Sequence, residues 1–430
     1  MSFISRRGFL GATGIAAVTG TVALRPSDQG APYEPYFAQL NQALKTAGIG
    51  TPTLVIDRER LHANAQKVKA HVQGNGQGKL HLRLVNKSLP SLSLLDEIAQ
   101  ATGTNRQMVF NLPYLQLLTQ QRPQSQILLG KPLPVAAVAR FYAQPPTSGF
   151  DASQQLQWLV DTPQRVQQYR ELARAQRRPM RVNIEIDVGL HRGGVPDLDV
   201  LKTMVQLIQE EPLLRWSGLM GYEAHTEKIP EVGGLRERSR AHAKQVYQRF
   251  ADFMQASPLK QDRQALTLNT AGSPSFRLHD GTGAANEVAV GSAMVKPSDF
   301  DSPLLSDFVS AAFIATPVIK SGRFVAPDGV EELGTAAAWW DANQRHSVFI
   351  YGGHWMAKPF APAGLSPSGL IGPSSNQQIL LGSGKQALQP DDFVFLRPTQ
   401  SEAVLQQFGD IAVYENGRVT TMWPVFPAQA

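Results

Sequence analysis

Between residues 50 and 270, strand-length apolar runs alternate with helix-length amphipathic stretches, and that alternation limits the possible folds more than any other feature. The apolar runs fall at 53–56, 80–85, 107–110, 126–129, 157–160, 181–186, 218–222 and 266–269. Segments with helical spacing of apolar residues lie between them, at 58–72, 91–102, 113–121, 135–142, 163–175, 199–210 and 235–255. About eight βα repeats over this length predict an α/β fold, a parallel (β/α)8 barrel of the TIM type over residues 50–300. A doubly wound open sheet is the alternative, but no Gly-x-Gly-x-x-Gly turn follows the first strand.

From about Ala311 onward the alternation stops. Short β segments follow at 313–319, 347–351, 378–381, 393–396, 411–414 and 419–422, divided by glycine and proline, and they predict a C-terminal mainly-β domain over 305–430. The boundary falls near 299–303.

At the amino terminus, Ser5-Arg6-Arg7-Gly8-Phe9-Leu10 precedes a weakly apolar run at 11–24. Residues 1–25 read as a twin-arginine signal peptide, with small residues for cleavage at Thr21-Val22-Ala23. The run is too short for a stable membrane span, which takes roughly 20 strongly apolar residues. The expectation is passage through the twin-arginine export machinery into the periplasm, a route that carries folded proteins and so suits one loaded with a cofactor beforehand. The chain has no cysteine, so disulfides, thiolate metal sites and a cysteine nucleophile are excluded. Its net charge of +6 falls to +4 without residues 1–23, which hold Arg6, Arg7 and no acid. The remaining basic residues are interspersed with acids rather than gathered in a stripe, which argues against a nucleic-acid partner.

The chemistry is concentrated at the carboxyl ends of the expected barrel strands, the rim where barrel active sites are built. The run LHLRLVNK ends in Lys87. A lysine closing a buried strand is where a Schiff-base amine can sit, because desolvation favours the neutral nucleophile. After 181–186 comes Asp187-Val188-Gly189-Leu190-His191-Arg192-Gly193-Gly194-Val195, whose glycines let Arg192 turn inward toward an anion or phenolate. Tyr222, Glu223 and His225 form a cluster that can move protons. Thr270 to Ser275 can offer backbone amides and hydroxyls to a phosphate, and Gly291 with Ser292 can add to such a cup.

Together, TPTLVID, LRLVNKS, EIDVGLHRGGV, GLMGYEAH, LNTAGSPS and NEVAVGSAMV resemble the alanine-racemase-type, fold type III pyridoxal phosphate enzymes, most of all the D-threonine aldolase and D-serine dehydratase branch. The resemblance runs from about residue 50 to the end. It implies pyridoxal 5'-phosphate held covalently by Lys87, with Arg192 against the cofactor ring and Thr270, Gly272 and Ser273 on its phosphate. Tyr222 and His225 would lie beside the ring, His225 as the preferred base and Tyr222 or Lys87 on the other face. The implied activity is lyase chemistry on D-amino acids; the alternatives are an amino acid racemase on the same scaffold, or a non-catalytic protein that binds the cofactor or an amino acid. A homodimer is also implied. One departure concerns the divalent metal of this branch, bound by a His-x-Cys or His-x-Asp pair. Those positions hold Gln400 and Glu402 here. Glutamine is a poor zinc ligand, so the expected site has no metal, with Glu402 the one residue there able to help hold a hard cation.

Overall fold

The computed structural model describes residues 25–74 and 80–427. The twin-arginine segment lies outside the described residues. The first strand, β1 (Thr53–Asp57), is buried along its whole length. Eight strands then close a parallel barrel in sequence order: β2 (His81–Val85), β3 (Arg106–Val109), β4 (Gln126–Leu129), β5 (Leu156–Val160), β6 (Met180–Ile186), β7 (Leu214–Gly221), β8 (Thr267–Thr270) and β9 (Glu287–Val290). Closure is made by β2 against β9, with Arg83 opposite Ala289 and Leu84 opposite Val290. The barrel leaves no free sheet edge.

Polar residues placed just before the apolar runs start the helices between strands. Asn111 accepts a hydrogen bond from the Tyr114 amide at 2.9 Å, and Asp197 accepts from Val200 at 2.9 Å. Gly103, with φ of +76°, ends Leu92–Thr102 in the left-handed conformation that glycine adopts without penalty. Each helix turns one apolar stripe inward: in Leu198–Gln209 the buried residues are Leu201, Met204, Val205 and Ile208, spaced three and four apart.

Two readings of the sequence are corrected here. The run at 53–56 is not a barrel strand; β1 belongs to a separate nine-stranded sheet, and the eighth barrel position is taken by β9. The helix after β1, Arg58–Gln73, made that strand look like a βα unit, whereas β9 follows β8 without an α-helix of its own. The separate sheet also contains β10 (Ala312–Arg323), β11 (His346–Tyr351), β12 (Ala357–Ala361), β13 (Ser366–Pro367), β14 (Gln377–Gly382), β15 (Phe393–Pro398), β16 (Ile411–Glu415) and β17 (Arg418–Trp423). Its order is β13-β14-β11-β10-β1-β16-β17, with β15 pairing both β10 and β12. Asn416 and Gly417, at φ of +51° and +78°, make the tight turn between β16 and β17. One helix, Glu331–Trp340, interrupts this β region.

The chain divides into two compact units. Among the described residues, one comprises residues 25–55, Phe313–Pro398 and Tyr414–Thr420; the other comprises Ile56–Ala312, Thr399–Val413 and residues 421–427. The division therefore differs from a single break near 299–303: residues 399–413, with Gln400 and Glu402, belong to the barrel unit. Among the described residues no helix is long and apolar enough to cross a membrane.

Candidate functional site

Lys87 sits just beyond β2, in the 3-10 turn Asn86–Ser88. Its side chain is 42% exposed, so the amine stands in the barrel mouth rather than in the desolvated strand end that the sequence suggested. The amine lies 4.9 Å from the centre of the Phe110 ring and 3.6 Å from Glu402 Oε1. Phe110 reaches this position because Gly130 has no side chain: a Cβ there would come within 2.3 Å of the ring.

Lys87, Ser88, Phe110, Arg192, Tyr222 and Glu402 line one cavity, together with the loops after β8 and β9 that carry Gly272, Ser273, Gly291 and Ser292. These two loops are tied into a cup. The Ser273 hydroxyl oxygen accepts from the amides of Gly291 at 3.1 Å and Ala293 at 3.0 Å, and Ser292 Oγ lies 2.9 Å from Ser401 Oγ. The glycines seal the cup by absence of bulk. A Cβ on Gly272 would meet the Tyr222 ring at 2.6 Å, and one on Gly291 would meet Ser88 and Val85 at 2.9 Å. Backbone amides, two serine hydroxyls, one amine and one guanidinium around a glycine-floored cradle fit pyridoxal phosphate.

Arg192 reaches this cavity from a stiff loop. Asp187 accepts from the amides of Gly189 and His191, each at 3.0 Å, and pairs with the His191 ring at 2.7 Å. Return to the sheet is fixed by Asp187 donating to Val195 at 3.0 Å and Val195 to Glu185 at 2.8 Å. Gly194, at φ of +95°, allows that closure; a Cβ there would approach the Asp187 amide to 2.6 Å. The Arg192 guanidinium carbon then lies 4.9 Å from the Tyr222 ring centre. Burial raises the Tyr222 phenol above its usual range, with Arg192 opposing, so the hydroxyl keeps its proton at neutral pH.

Two of the expected residues lie elsewhere. His225 does not line this cavity; its Nε2 is 3.3 Å from where a Gly189 Cβ would stand, and its buried Nδ1 has no hydrogen-bond partner among the described residues. Burial, with His191 and His242 nearby, holds its pKa below the usual histidine value although Glu223 and Asp187 oppose. Thr270 also faces away, donating its hydroxyl to Glu223 at 3.0 Å. Gln400 donates to Asp299 at 3.1 Å.

The sequence reading places Glu223 in a proton-moving cluster with Tyr222 and His225 and does not single out Glu185. Glu223, fully buried, accepts from Thr270, Ser275 at 2.8 Å and the Ala271 amide at 3.2 Å, and pairs with His279 at 3.0 Å. It thus braces the loop behind the cup instead of moving protons inside it. Its position next to Tyr222 was a signal: successive residues of an extended segment point to opposite sides. Glu185 follows Asn183 at the same parity near the end of β6, and burial together with Asp161 raises it to about 7 against the pull of Arg192. A larger cavity of about 330 Å3 lies beside helix Leu235–Ala256, lined by Arg240 and Lys244 among others; Arg240 is held by both oxygens of Glu227 at 2.8 and 2.9 Å. Lys87 lines the other cavity.

Residues 56–299 match the family described as alanine racemase, N-terminal domain. Among solved structures, D-threonine aldolase from Filomicrobium marinum aligns with a TM-score of 0.70 at 18% identity, over 93% of this chain and 98% of that one. D-threo-3-hydroxyaspartate dehydratase from Delftia sp. HT23 gives 0.66 at 16% identity, over 88% and 97%. Alanine racemase from Bacillus anthracis, with bound L-Ala-P, gives 0.65 at 14% identity, over 87% and 98%. Identities this low speak for the fold alone, and among curated protein sequences the chain has no match. With the family match spanning more than half of the chain and the closed barrel agreeing with it, the protein belongs to the alanine racemase N-terminal-domain family of fold type III pyridoxal phosphate enzymes.

Proposed function

We propose that this protein is a pyridoxal-phosphate-dependent lyase acting on D-amino acids, of the D-threonine aldolase and D-serine dehydratase kind. The observation that carries the reading is the placement of the Lys87 amine in one cavity with the Gly272–Ser273 and Gly291–Ser292 cup and the Arg192–Tyr222 pair. Bound pyridoxal phosphate supplies an electron sink for a bond broken at the amino acid's α-carbon. Lys87 would anchor it covalently, while Ser273, Ser292 and the loop amides would hold its phosphate. Arg192 would face its ring. Gly272, by lacking a side chain, lets the Tyr222 ring close the same wall.

Three groups lining the cavity can carry protons: the Lys87 amine, the Tyr222 hydroxyl and the Glu402 carboxylate. Tyr222, kept protonated by burial, suits the role of acid, and Lys87, once released, that of base at the α-carbon. A racemase is the second reading, favoured by these same two proton carriers facing one cavity, since racemisation needs one on each side of the α-carbon. Export by the twin-arginine route, resting on Arg6 and Arg7, and a homodimer, resting on the family resemblance, belong to the same proposal.

The test is the absorption spectrum of the purified protein with pyridoxal phosphate, beside that of Lys87→Ala, followed by a panel of D-amino acids. A violet band present in the wild type and lost in the variant, with aldehyde or keto acid released from a D-β-hydroxy amino acid, is the expected result. Release of the opposite enantiomer instead would move the assignment to racemase. Absence of the band at saturating cofactor would sink both.

A further inference from the structure

We infer that Glu402 makes this site selective for D-amino acids with uncharged or cationic side chains over those with acidic side chains. The inference rests on the functional reading above. Among the described residues lining the cavity, the charged groups are two cations, Lys87 and Arg192, and one acid, Glu402. The carboxylate is held in place by its neighbours. Ser88 Oγ donates to Oε1 at 3.1 Å, Ser401 Oγ donates to Oε2 at 3.2 Å, and Ser401 is itself within 2.9 Å of Ser292. Gln400, two residues earlier, is bonded to Asp299 at 3.1 Å and steadies the segment that carries it.

The 3.6 Å separation between Glu402 Oε1 and Lys87 Nζ sets the consequence. In the proposed reaction the substrate nitrogen takes the place of the lysine nitrogen. The substrate's α-carbon is then one bond from that point, and its side chain begins one bond further. When the substrate nitrogen takes its place, the bond to Lys87 breaks and the lysine is released as the free amine that serves as base above, which leaves Arg192 as the remaining cation of the lining. A substrate α-carboxylate can be balanced there; a second carboxylate, on the side chain, meets Glu402 with no further cation facing it. Like charges about 5 Å apart in a half-solvated site cost enough to weaken binding by about tenfold, and salt reduces the effect. A neutral hydroxyl or amide at the same place can instead donate to the carboxylate.

D-Asparagine and D-aspartate differ in this one charge, so they are the probes. Titrated into the cofactor-loaded wild type and followed by the absorption band, D-aspartate should need about tenfold or more higher concentration than D-asparagine for the same change, and the ratio should narrow at high salt. Glu402→Gln should bring the ratio toward one, and Glu402→Lys should invert it. A wild-type ratio near one, or a ratio that Glu402→Gln leaves unchanged while the violet band persists, would overturn the inference. If the variants do not fold, the wild-type ratio and its salt dependence decide: a ratio that salt does not narrow overturns it as well. A wild type without any cofactor band fails at the functional reading and takes this inference with it, whereas a normal band with equal titrations removes this inference alone.

Discussion

Arg83 and Glu287 meet inside the barrel as a fully buried ion pair, with Nε to Oε1 at 2.5 Å and the second guanidinium nitrogen to Oε2 at 3.0 Å. Arg106 adds a contact to Oε2 at 2.8 Å, Asn269 donates to Oε1 at 2.9 Å, and Arg83 also serves the carbonyls of Gln107 and Gln126. Burial pushes the Glu287 carboxyl up, but the two arginines outweigh it and hold the pKa below the usual glutamate range. Removing the carboxylate leaves a buried guanidinium without a counter-charge. Glu287→Gln should therefore cost about 3–5 kcal/mol in a urea titration. Asp96→Asn, which breaks the half-exposed pair with Arg122, should cost at most about 1 kcal/mol; equal losses would contradict the account.

The Gly272 contact predicts a steric effect on the cofactor. A Cβ at this position lies 2.6 Å from a Tyr222 ring that Arg192 covers on its face, so the ring has to shift or the loop has to open. Overpacking of this kind costs about 1–3 kcal/mol, which corresponds to a roughly tenfold or greater loss of pyridoxal phosphate affinity for Gly272→Ala. Gly283→Ala is the control, since a Cβ there meets nothing within 4 Å. Unchanged affinity in Gly272→Ala, measured by equilibrium titration, would count against the cup.

The barrel was legible from alternation, since its strands are short, apolar and separated by capped amphipathic helices. β1 was misplaced because the five residues TLVID are equally apolar in either sheet and are followed by a helix in the same way; pattern carries no record of which neighbour a buried strand pairs with. Lys87, Arg192, Tyr222, Gly272, Ser273, Gly291 and Ser292 were found from strand ends and meet in one cavity. Thr270 and His225 were grouped with them by proximity in sequence, although side-chain direction separates them. The 3.6 Å approach of Glu402 to Lys87 spans over 300 residues of chain and has no local signal.

Glu223 supplies the third prediction. Burial works to raise its pKa, but the pairing with His279 and the hydroxyls of Ser275 and Thr270 win, and it is held below the usual value. A carboxyl depressed in the folded state contributes stability above its unfolded pKa that is lost as pH falls through the folded one. Glu223→Ala removes the acceptor for four donors around the loop at 270–279. The variant should bind pyridoxal phosphate at least about tenfold more weakly, consistent with buried donors left unpaired, and should lose part of the wild type's decline in stability at acid pH. Full cofactor affinity in the variant would show that the loop holds its shape without the carboxylate.

Glu185 gives a pH dependence of opposite sign. Burial first, and then the Asp161 carboxylate, raise its pKa to about 7, with Arg192 acting against them. The folded protein thus binds a proton here, between the ordinary glutamate range and about pH 7, that the unfolded chain does not. Stability from this group is full at low pH and is lost as pH rises through that window. Glutamine cannot titrate, so Glu185→Gln should gain on the wild type as the pH goes from about 5 to about 8, by on the order of 2–3 kcal/mol. Comparing the two proteins at each pH cancels the other titrating groups. Chemical denaturation across that range reads the difference directly: a gap that widens with pH agrees with a carboxyl kept neutral by its surroundings, while a constant gap would mean that Arg192 already holds Glu185 ionised, as a partner rather than a proton store beside the cofactor cavity.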